Sequence, residues 1–291
     1  MGAGVNNSQK NASGGSRWMA VVIALPALAL WEILSRTGAV SPLFFPPPSR
    51  VAQTTWEMMA NGELPQHILV TLSRLLGGFT LGAIPALIVG ALTGWSRRCR
   101  AAVDPIVAAF HPMPKTALLP IFMILLGLAE APKLAVTALG AFFPVAISTM
   151  AGVRQISPIH FEVAENYHVR GLGVLRHVVF PGSLPLVLSG ARLGFNSALH
   201  IVIAVELLTA RRGLGSVIWF AWETMRTEEL YTAIAVTAIL GIVFNLLLRW
   251  LMHRLVPWQR EDHLERPTVA YARASRSRLD PDRDPKASES T

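Results

Sequence analysis

Long apolar runs alternate with short polar segments along most of this 291-residue chain. A helix needs about 20 consecutive apolar residues to cross a bilayer, and the longer runs exceed that length. The runs cover residues 18–34, 68–95, 101–128, 134–152, 184–208 and 230–251. The pattern predicts an all-α integral membrane protein with about six transmembrane helices.

Residues 154–181 form a polar stretch between two of these runs. Its arginines and glutamates exclude it from hydrocarbon, where each charge is costly. Ser157 followed by Pro158 predicts a helix start, with the serine side chain as the cap. Apolar residues recur from there at four-residue intervals and so share one face. The residues of that face are Ile159, Val163 and Tyr167.

The second half of the polar stretch predicts a turn over 169–173 and another short helix over 174–179. Pro181 is expected to end that helix, because proline lacks the N–H that a continuing helix needs. The whole stretch therefore predicts two short helices at a membrane surface, shaped to contact another protein.

Residues 1–17 and 259–291 are polar and predict disordered tails, both cytoplasmic if six spans lie between them. The run at 18–34 follows two basic residues, so a signal peptide is the alternative to a first span. We favour the span because no cleavage site follows it. A periplasmic proline-rich segment then completes a section at 18–66, which precedes the main membrane domain at 67–251.

The composition agrees with a membrane protein, since 15% of the residues are charged against about 25% in soluble domains. The formal net charge is +8, and basic membrane proteins usually carry such charge in cytoplasmic loops rather than for nucleic acid. Arg97, Arg98 and Arg100 follow the second run and indicate its cytoplasmic end.

Some polar residues lie inside the apolar runs. Arg74 either reaches the outer surface or pairs with a carboxylate in the bundle. Two prolines between His111 and Lys115 break the third run. The break is either a kink for packing or the lining of a translocation pathway, because freed carbonyls at membrane depth need protein or water around them.

The fifth run contains Arg192, Asn196 and His200, whose spacing places them on one face, directed into the bundle. Glu206 lies in the same run, about 21 Å from Arg192 along a straight helix, so each must pair elsewhere. With His111 and Lys115, these four residues are the candidates for the translocation pathway.

The chain lacks the motifs of several enzyme classes. Each of its four lysines follows Gln or Pro, so none completes a P-loop for ATP. No His/Cys cluster has the spacing of a metal site, and the single cysteine is Cys99. We therefore predict no catalytic residue, no metal site and no cofactor bound by this chain.

The polar stretch resembles a cytoplasmic loop in the permease subunits of bacterial ABC importers. The family pattern is E-A-A, three residues, G, nine residues, then I-x-L-P. The matching residues are Glu162, Val163, Ala164, His168, Val178, Phe180 and Pro181. His168 replaces the glycine that allows the turn, and Gly171 would take over that role.

Further stretches are similar to the nitrate/sulfonate/taurine-type permeases, in order along residues 40–251. They include F-F-P-P-P-S-R-V (44–51), T-L-S-R-L-L-G-G-F (71–79), H-P-M-P-K-T-A-L-L-P (111–120) and R-L-G-F-N-S-A-L-H-I-V-I-A-V-E (192–206). This order over many spans identifies the chain as a member of the family.

The resemblance implies a type I importer in the bacterial inner membrane, surrounded by lipid. Two permeases, here a homodimer, form the pathway, and two cytoplasmic ATPase subunits carry ATP and Mg. A periplasmic or lipid-anchored binding protein delivers a small solute such as a sulfonate, taurine or nitrate. The residues implied to dock on the ATPase are Ile159, Glu162, Val163, Ala164, Tyr167, His168, Gly171 and Pro181.

Two other functions fit the spans. An ATP-independent secondary transporter or channel would leave the loop motif unexplained. A membrane enzyme acting on lipid would need a catalytic constellation at one interface, and the sequence contains none.

Overall fold

The computed structural model describes residues 10–256, with side chains from residue 22 onward. Every element in that range is helical. The elements up to the broken third run are α1 (Lys10–Arg36), α2 (Pro48–Ala60), α3 (Glu63–Trp95), α4 (Arg97–Phe110), a 3₁₀ turn (Lys115–Leu118) and α5 (Leu119–Leu126). They are followed by α6 (Ala131–Arg154), α7 (Pro158–Asn166), α8 (Leu172–Val174), a π-helical turn (Leu175–Val179), α9 (Phe180–Thr209), α10 (Leu214–Glu223) and α11 (Thr227–Leu255).

Four helical stretches in the described range are long and apolar enough to cross a membrane: α3, α6, Leu172–Thr209 and α11. Helix α4 and the stretch Lys115–Leu126 would make a fifth if they count as one span bent by 91°. The all-α membrane fold is therefore confirmed, with four to five candidate spans found among the described residues. The predicted first span at 18–34 lies in α1, part of whose side chains fall outside the described residues.

Helix α1 begins at Lys10, so residues 10–17 of the predicted disordered tail are helical. The apolar run provides the helix, and adding residues to an existing helix costs far less than starting one. Residues 1–9 and the predicted tail at 259–291 lie outside the described part of the chain.

Helices α3, α6 and α9 form the centre of the membrane domain, and glycines allow their backbones to approach closely. A Cβ atom on Gly82 of α3 would overlap the carbonyl oxygen of Ala138 on α6. A Cβ on Gly90 would lie 2.6 Å from the Ala146 carbonyl oxygen. These contacts leave no room for a side chain at either glycine.

The predicted end of the second loop helix at Pro181 is wrong. The chain stays helical from Leu172 to Thr209 through the π-helical turn. The Phe180 N–H donates to the Leu175 carbonyl, five residues back, and α9 begins there. Pro181 therefore lies in the first turn of α9, where a missing N–H is tolerated.

Candidate functional site

Helix α7 presents an apolar face that no other part of residues 22–256 covers. Ile159 is 58% exposed, Val163 48% and Tyr167 79%. The helix begins after Ser157 as predicted, but the serine side chain makes no capping bond; Pro158 provides the start instead. Ala164, the residue after Val163, lies off this face and is buried. This geometry leaves three apolar side chains free to enter a groove on a partner.

The turn after α7 has the backbone conformation that favours glycine, although a histidine replaces the glycine of the motif at this position. His168 has φ +56°, in the left-handed region. Its N–H donates to the Glu165 carbonyl at 2.8 Å, and the Val169 N–H donates to the Ala164 carbonyl at 2.8 Å. This pair of bonds is a Schellman motif, whose left-handed residue is usually glycine.

Gly171 does not replace that turn but adds a second one, with φ +57°. The predicted transfer of the role from residue 168 to Gly171 is therefore wrong. The helix end itself requires the left-handed residue at 168, because the orphan carbonyls of α7 are satisfied only with the chain reversed there. Three of the predicted docking residues in this loop, Glu162, His168 and Gly171, are exposed.

The break in the third run exposes His111 and partly buries Lys115. The Lys115 ammonium donates to the His111 carbonyl oxygen, which a continuous helix would have paired with the Lys115 N–H. Both side chains lie beside Phe143 of α6: the Lys115 nitrogen is 5.3 Å from the ring centroid, and the His111 ring is 6.0 Å away. The predicted pair is thus brought together.

On α9, the structure brings together two of the three residues predicted to share a face. Arg192 Nε donates to Asn245 Oδ1 at 2.8 Å, and Asn245 Nδ2 donates to Asn196 Oδ1 at 2.9 Å. His200 is exposed. Asn245 on α11 was missed from the sequence, although a lone amide in an apolar run was the available indication.

Glu206 is fully buried and accepts hydrogen bonds from three groups. Arg74 Nη1 lies 2.9 Å from its Oε1. Thr71 Oγ1 and the Gly215 N–H donate to its Oε2 at 2.9 Å and 3.0 Å. A Cβ on Gly213 would overlap the carboxylate, so the glycine loop before α10 fits closely over it. Of the two alternatives for Arg74, pairing with a carboxylate is the correct one.

Arg74 also holds Glu130, which precedes α6. Its Nε and Nη2 lie 2.6 Å and 2.8 Å from the two Glu130 oxygens, a bidentate pair, and Lys133 Nζ lies 3.0 Å from Oε1. Hydrogen bonds from Arg74, with a further one from Lys133, lower the pKa of Glu130 from 4.5 to about 2. Thr71, Glu130 and Lys133 belong to this network without having been predicted from the sequence.

A cavity of about 510 Å³ opens beside this network. The ionisable residues that line it are Arg74, Glu130, Lys133, Arg211 and Arg212. Four of the five are basic, and Arg211 and Arg212 are exposed. The cavity therefore has an excess of positive charge at the end of the bundle where α3 and α6 begin and α9 ends.

Residues 78–261 match the family of binding-protein-dependent transport system inner membrane components. The chain belongs to this family. It is a permease of the ABC importer class and a multi-pass inner membrane protein, which confirms the resemblance identified from the sequence.

Relatives of this permease resemble it over most of their length. The taurine transport system permease protein TauC of Escherichia coli (strain K12) is 33% identical over 80% of this chain and 87% of TauC. The aliphatic sulfonates transport permease protein SsuC of Bacillus subtilis (strain 168) is 32% identical over 83% and 88%. The riboflavin transport system permease protein RibX of Chloroflexus aurantiacus is 32% identical over 80% and 87%.

Among solved structures, a chain of the methionine ABC transporter MetNI in an inward-facing conformation is similar. Its TM-score is 0.49, with 17% identity over 72% of this permease and 98% of that chain.

Proposed function

We propose that this permease imports a small sulfonate-type anion, with the exposed face of α7 as its contact with a separate ATPase. The observation that carries the proposal is this face: three apolar residues lie uncovered at the one loop that also bears the family motif. Burying an apolar side chain of that size contributes about 1.5–3 kcal/mol. A groove on the partner would therefore gain affinity from each of the three.

We infer that the loop transmits motion through its connection to a membrane helix. The helical stretch from Leu172 leads through the π-helical turn into α9. A force applied at α7 passes through the His168 turn and reaches the spanning helix at its base. Two ATPase subunits that close on ATP and Mg would thereby rotate the α9 helices of a homodimer.

We call the cavity of about 510 Å³ beside the Arg74–Glu130 pair the outer cavity, because it lies at the end of the bundle away from Arg97. Its positive charge is the reason for proposing an anion. Relatives named for taurine, for aliphatic sulfonates and for riboflavin are about equally identical to this chain, so identity alone does not choose the solute. Arg211 and Arg212 have no ion pair among the described residues, and their charge favours an anion over a neutral solute. A periplasmic or lipid-anchored binding protein would deliver it there.

Within the bundle, Arg192, Asn196, His200, His111 and Lys115 are the polar groups we propose for the pathway. Glu206 has every bond satisfied inside this chain and serves as a structural anchor instead. Arg97, Arg98 and Arg100, which follow the end of α3, favour a cytoplasmic position for that end and for the α7 loop. With α1 counted as the first span, both termini are cytoplasmic as well.

The test is co-purification with a candidate ABC ATPase from the same genome, followed by measurement of solute-stimulated ATP hydrolysis in proteoliposomes. Val163→Asp places a charge at the centre of the exposed face and should weaken ATPase retention by at least about tenfold, equivalent to 1.4 kcal/mol. Gln155→Asp adds the same charge to an exposed residue outside α7 and should leave retention unchanged.

Uptake by the wild-type permease with no ATPase present would contradict the proposal and favour an ATP-independent transporter. Equal ATPase retention by both variants would reject α7 as the contact.

A further inference from the structure

Two cavities of opposite character adjoin beside the α7 loop. The first, of about 590 Å³, has an almost entirely apolar lining that includes Ile88, Leu92, Leu175 and Phe180. The second, of about 410 Å³, is lined by three arginines: Arg97, Arg100 and Arg154. Trp95 and Val153 belong to both linings, so the apolar cavity and the basic cavity meet at those two residues.

The basic cavity has uncompensated positive charge. No acidic residue in the described part of the chain lines it. Arg100 donates hydrogen bonds to the carbonyls of Thr93 and Gly94 at the end of α3, so its guanidinium group is already engaged. Arg97 and Arg154 are exposed, and neither has an ion pair within residues 22–256. Two guanidinium groups therefore remain available to an anion.

The apolar cavity offers almost no polar atom to an occupant. Thr149 belongs to its lining but is 3% exposed, and its hydroxyl oxygen is buried. Most of the other lining residues are aliphatic or aromatic. The occupant of this cavity is therefore expected to be long and apolar.

We propose that the two cavities form one site for an anionic phospholipid of the cytoplasmic leaflet. The phosphate would lie between Arg97 and Arg154, and an acyl chain would fill the apolar cavity. Basic pockets between helices on the cytoplasmic side suit anionic headgroups, and Trp95 lies where tryptophan concentrates at a membrane interface. The inference rests on the orientation given under the proposed function.

The position of the site links the lipid to the ATPase contact. Phe161 of α7 lines the basic cavity, and Gly171 and Leu172 line the apolar one. The Trp95 ring lies 5.9 Å from the Phe161 ring, so α7 packs against the junction. A bound lipid would therefore stabilise one placement of the loop, and loop movement would in turn change lipid affinity.

The test of the headgroup contacts uses the full-length chain extracted in detergent with a defined mixture of phosphatidylglycerol and phosphatidylcholine. Native mass spectrometry then counts the lipids that remain bound. We expect the wild type to retain phosphatidylglycerol preferentially and the double variant Arg97→Gln/Arg154→Gln to lose that preference at least tenfold. The matched control is Arg98→Gln, since Arg98 is exposed in the same segment but lines neither cavity.

The test of the acyl contacts is Ala91→Phe, which fills the apolar cavity. Its control, Ile84→Phe, enlarges an exposed residue of the same helix outside the lining. Only Ala91→Phe should lower phosphatidylglycerol retention. If Ala91→Phe does not fold, the arginine variants decide the question alone.

Three outcomes would overturn the proposal. Equal losses in Arg98→Gln and the double variant would indicate general surface charge. Retention that survives in folded Ala91→Phe would indicate an anion site without an acyl chain. A disulfide between two copies through Ala91→Cys, in a Cys99→Ser background with no lipid retained, would show that a second copy fills the cavity. None of these measurements needs ATP or solute, so a failed transport assay does not affect them.

Discussion

Arg74 Nη1 lies 2.9 Å from Glu206 Oε1, and this buried ion pair joins helices α3 and α9. The two partners differ in what else they hold. Arg74 also makes a bidentate pair with Glu130, whereas Glu206 has no second cation in the described part of the chain. Loss of the arginine would therefore leave a buried carboxylate without a counter-charge, but loss of the glutamate would leave an arginine that is still paired.

This asymmetry predicts that Arg74→Leu lowers the free energy of unfolding by about 3–5 kcal/mol. Glu206→Leu should cost less, and the double variant should recover part of the loss of Arg74→Leu. The measurement is thermal unfolding in detergent. The control is Glu229→Ala, which breaks the exposed Arg226–Glu229 pair and should cost no more than about 1 kcal/mol. Equal losses in the two single leucine variants would contradict the asymmetry.

The left-handed histidine after α7 predicts a stabilising substitution. His168→Gly should favour the folded turn by up to about 1 kcal/mol, because a side chain in this backbone region is strained by about 1–2 kcal/mol. His168→Val should weaken the turn, since a β-branched residue tolerates φ +56° poorly. The stability of the turn is measured by hydrogen exchange of the Val169 amide, which donates a hydrogen bond to the Ala164 carbonyl. Slower exchange in the valine variant than in wild type would contradict the assigned geometry.

The close approach of α3 and α6 predicts very different costs at neighbouring glycines. Gly82→Ala would drive a methyl group into the Ala138 carbonyl and should destabilise by about 1–3 kcal/mol or more. At Gly77 the added methyl would lie 3.2 Å from Leu134 Cδ2, the end of a flexible side chain. Gly77→Ala should therefore be tolerated. Similar melting temperatures for both variants would show that the helices separate without penalty.

Glu130 predicts an acid-dependent loss of stability. Its pKa is lowered from 4.5 to about 2 by Arg74 and Lys133, so its carboxylate stabilises the folded state above pH 4.5. That contribution is lost as the pH falls from 4.5 towards 2. Glu130→Gln should melt below wild type at pH 7, and the difference should shrink at pH 3.

The control for this pH dependence is Glu63→Gln, an exposed carboxylate in the first turn of α3 with no ion pair in residues 22–256. Its effect should change little between the two pH values. A constant difference between wild type and Glu130→Gln across the range would contradict the ion-pair origin.

The outer cavity predicts a charge-dependent effect on uptake. Arg211→Gln/Arg212→Gln removes two of its four basic side chains and should raise the concentration of anion needed for half-maximal uptake. Arg226→Gln, an exposed residue outside the cavity, is the control. Uptake by proteoliposomes with the binding protein and the ATPase is the measurement. Equal effects of the two changes would assign the role to overall surface charge.

Several features of this permease could be predicted from local sequence. Helix positions follow from apolar length and periodicity, and the start of α7 follows from Pro158. The family follows from motifs in order along the chain. The sequence predicts partners elsewhere for Arg192 and Glu206, because a charge in hydrocarbon is costly wherever it lies, and it leaves two alternatives open for Arg74.

Local sequence by itself determined the helical membrane fold, the break near His111 and the exposed loop helix, because each depends on residues a few positions apart. Only the tertiary structure decided that Arg74 pairs with Glu206, 132 positions away, and that Asn245 binds Arg192. It also decided that Pro181 continues a helix and that residue 168 is left-handed despite its side chain. Such outcomes depend on which helices pack against each other. Helical periodicity shows which residues share a face, but it does not show which helix will cover that face.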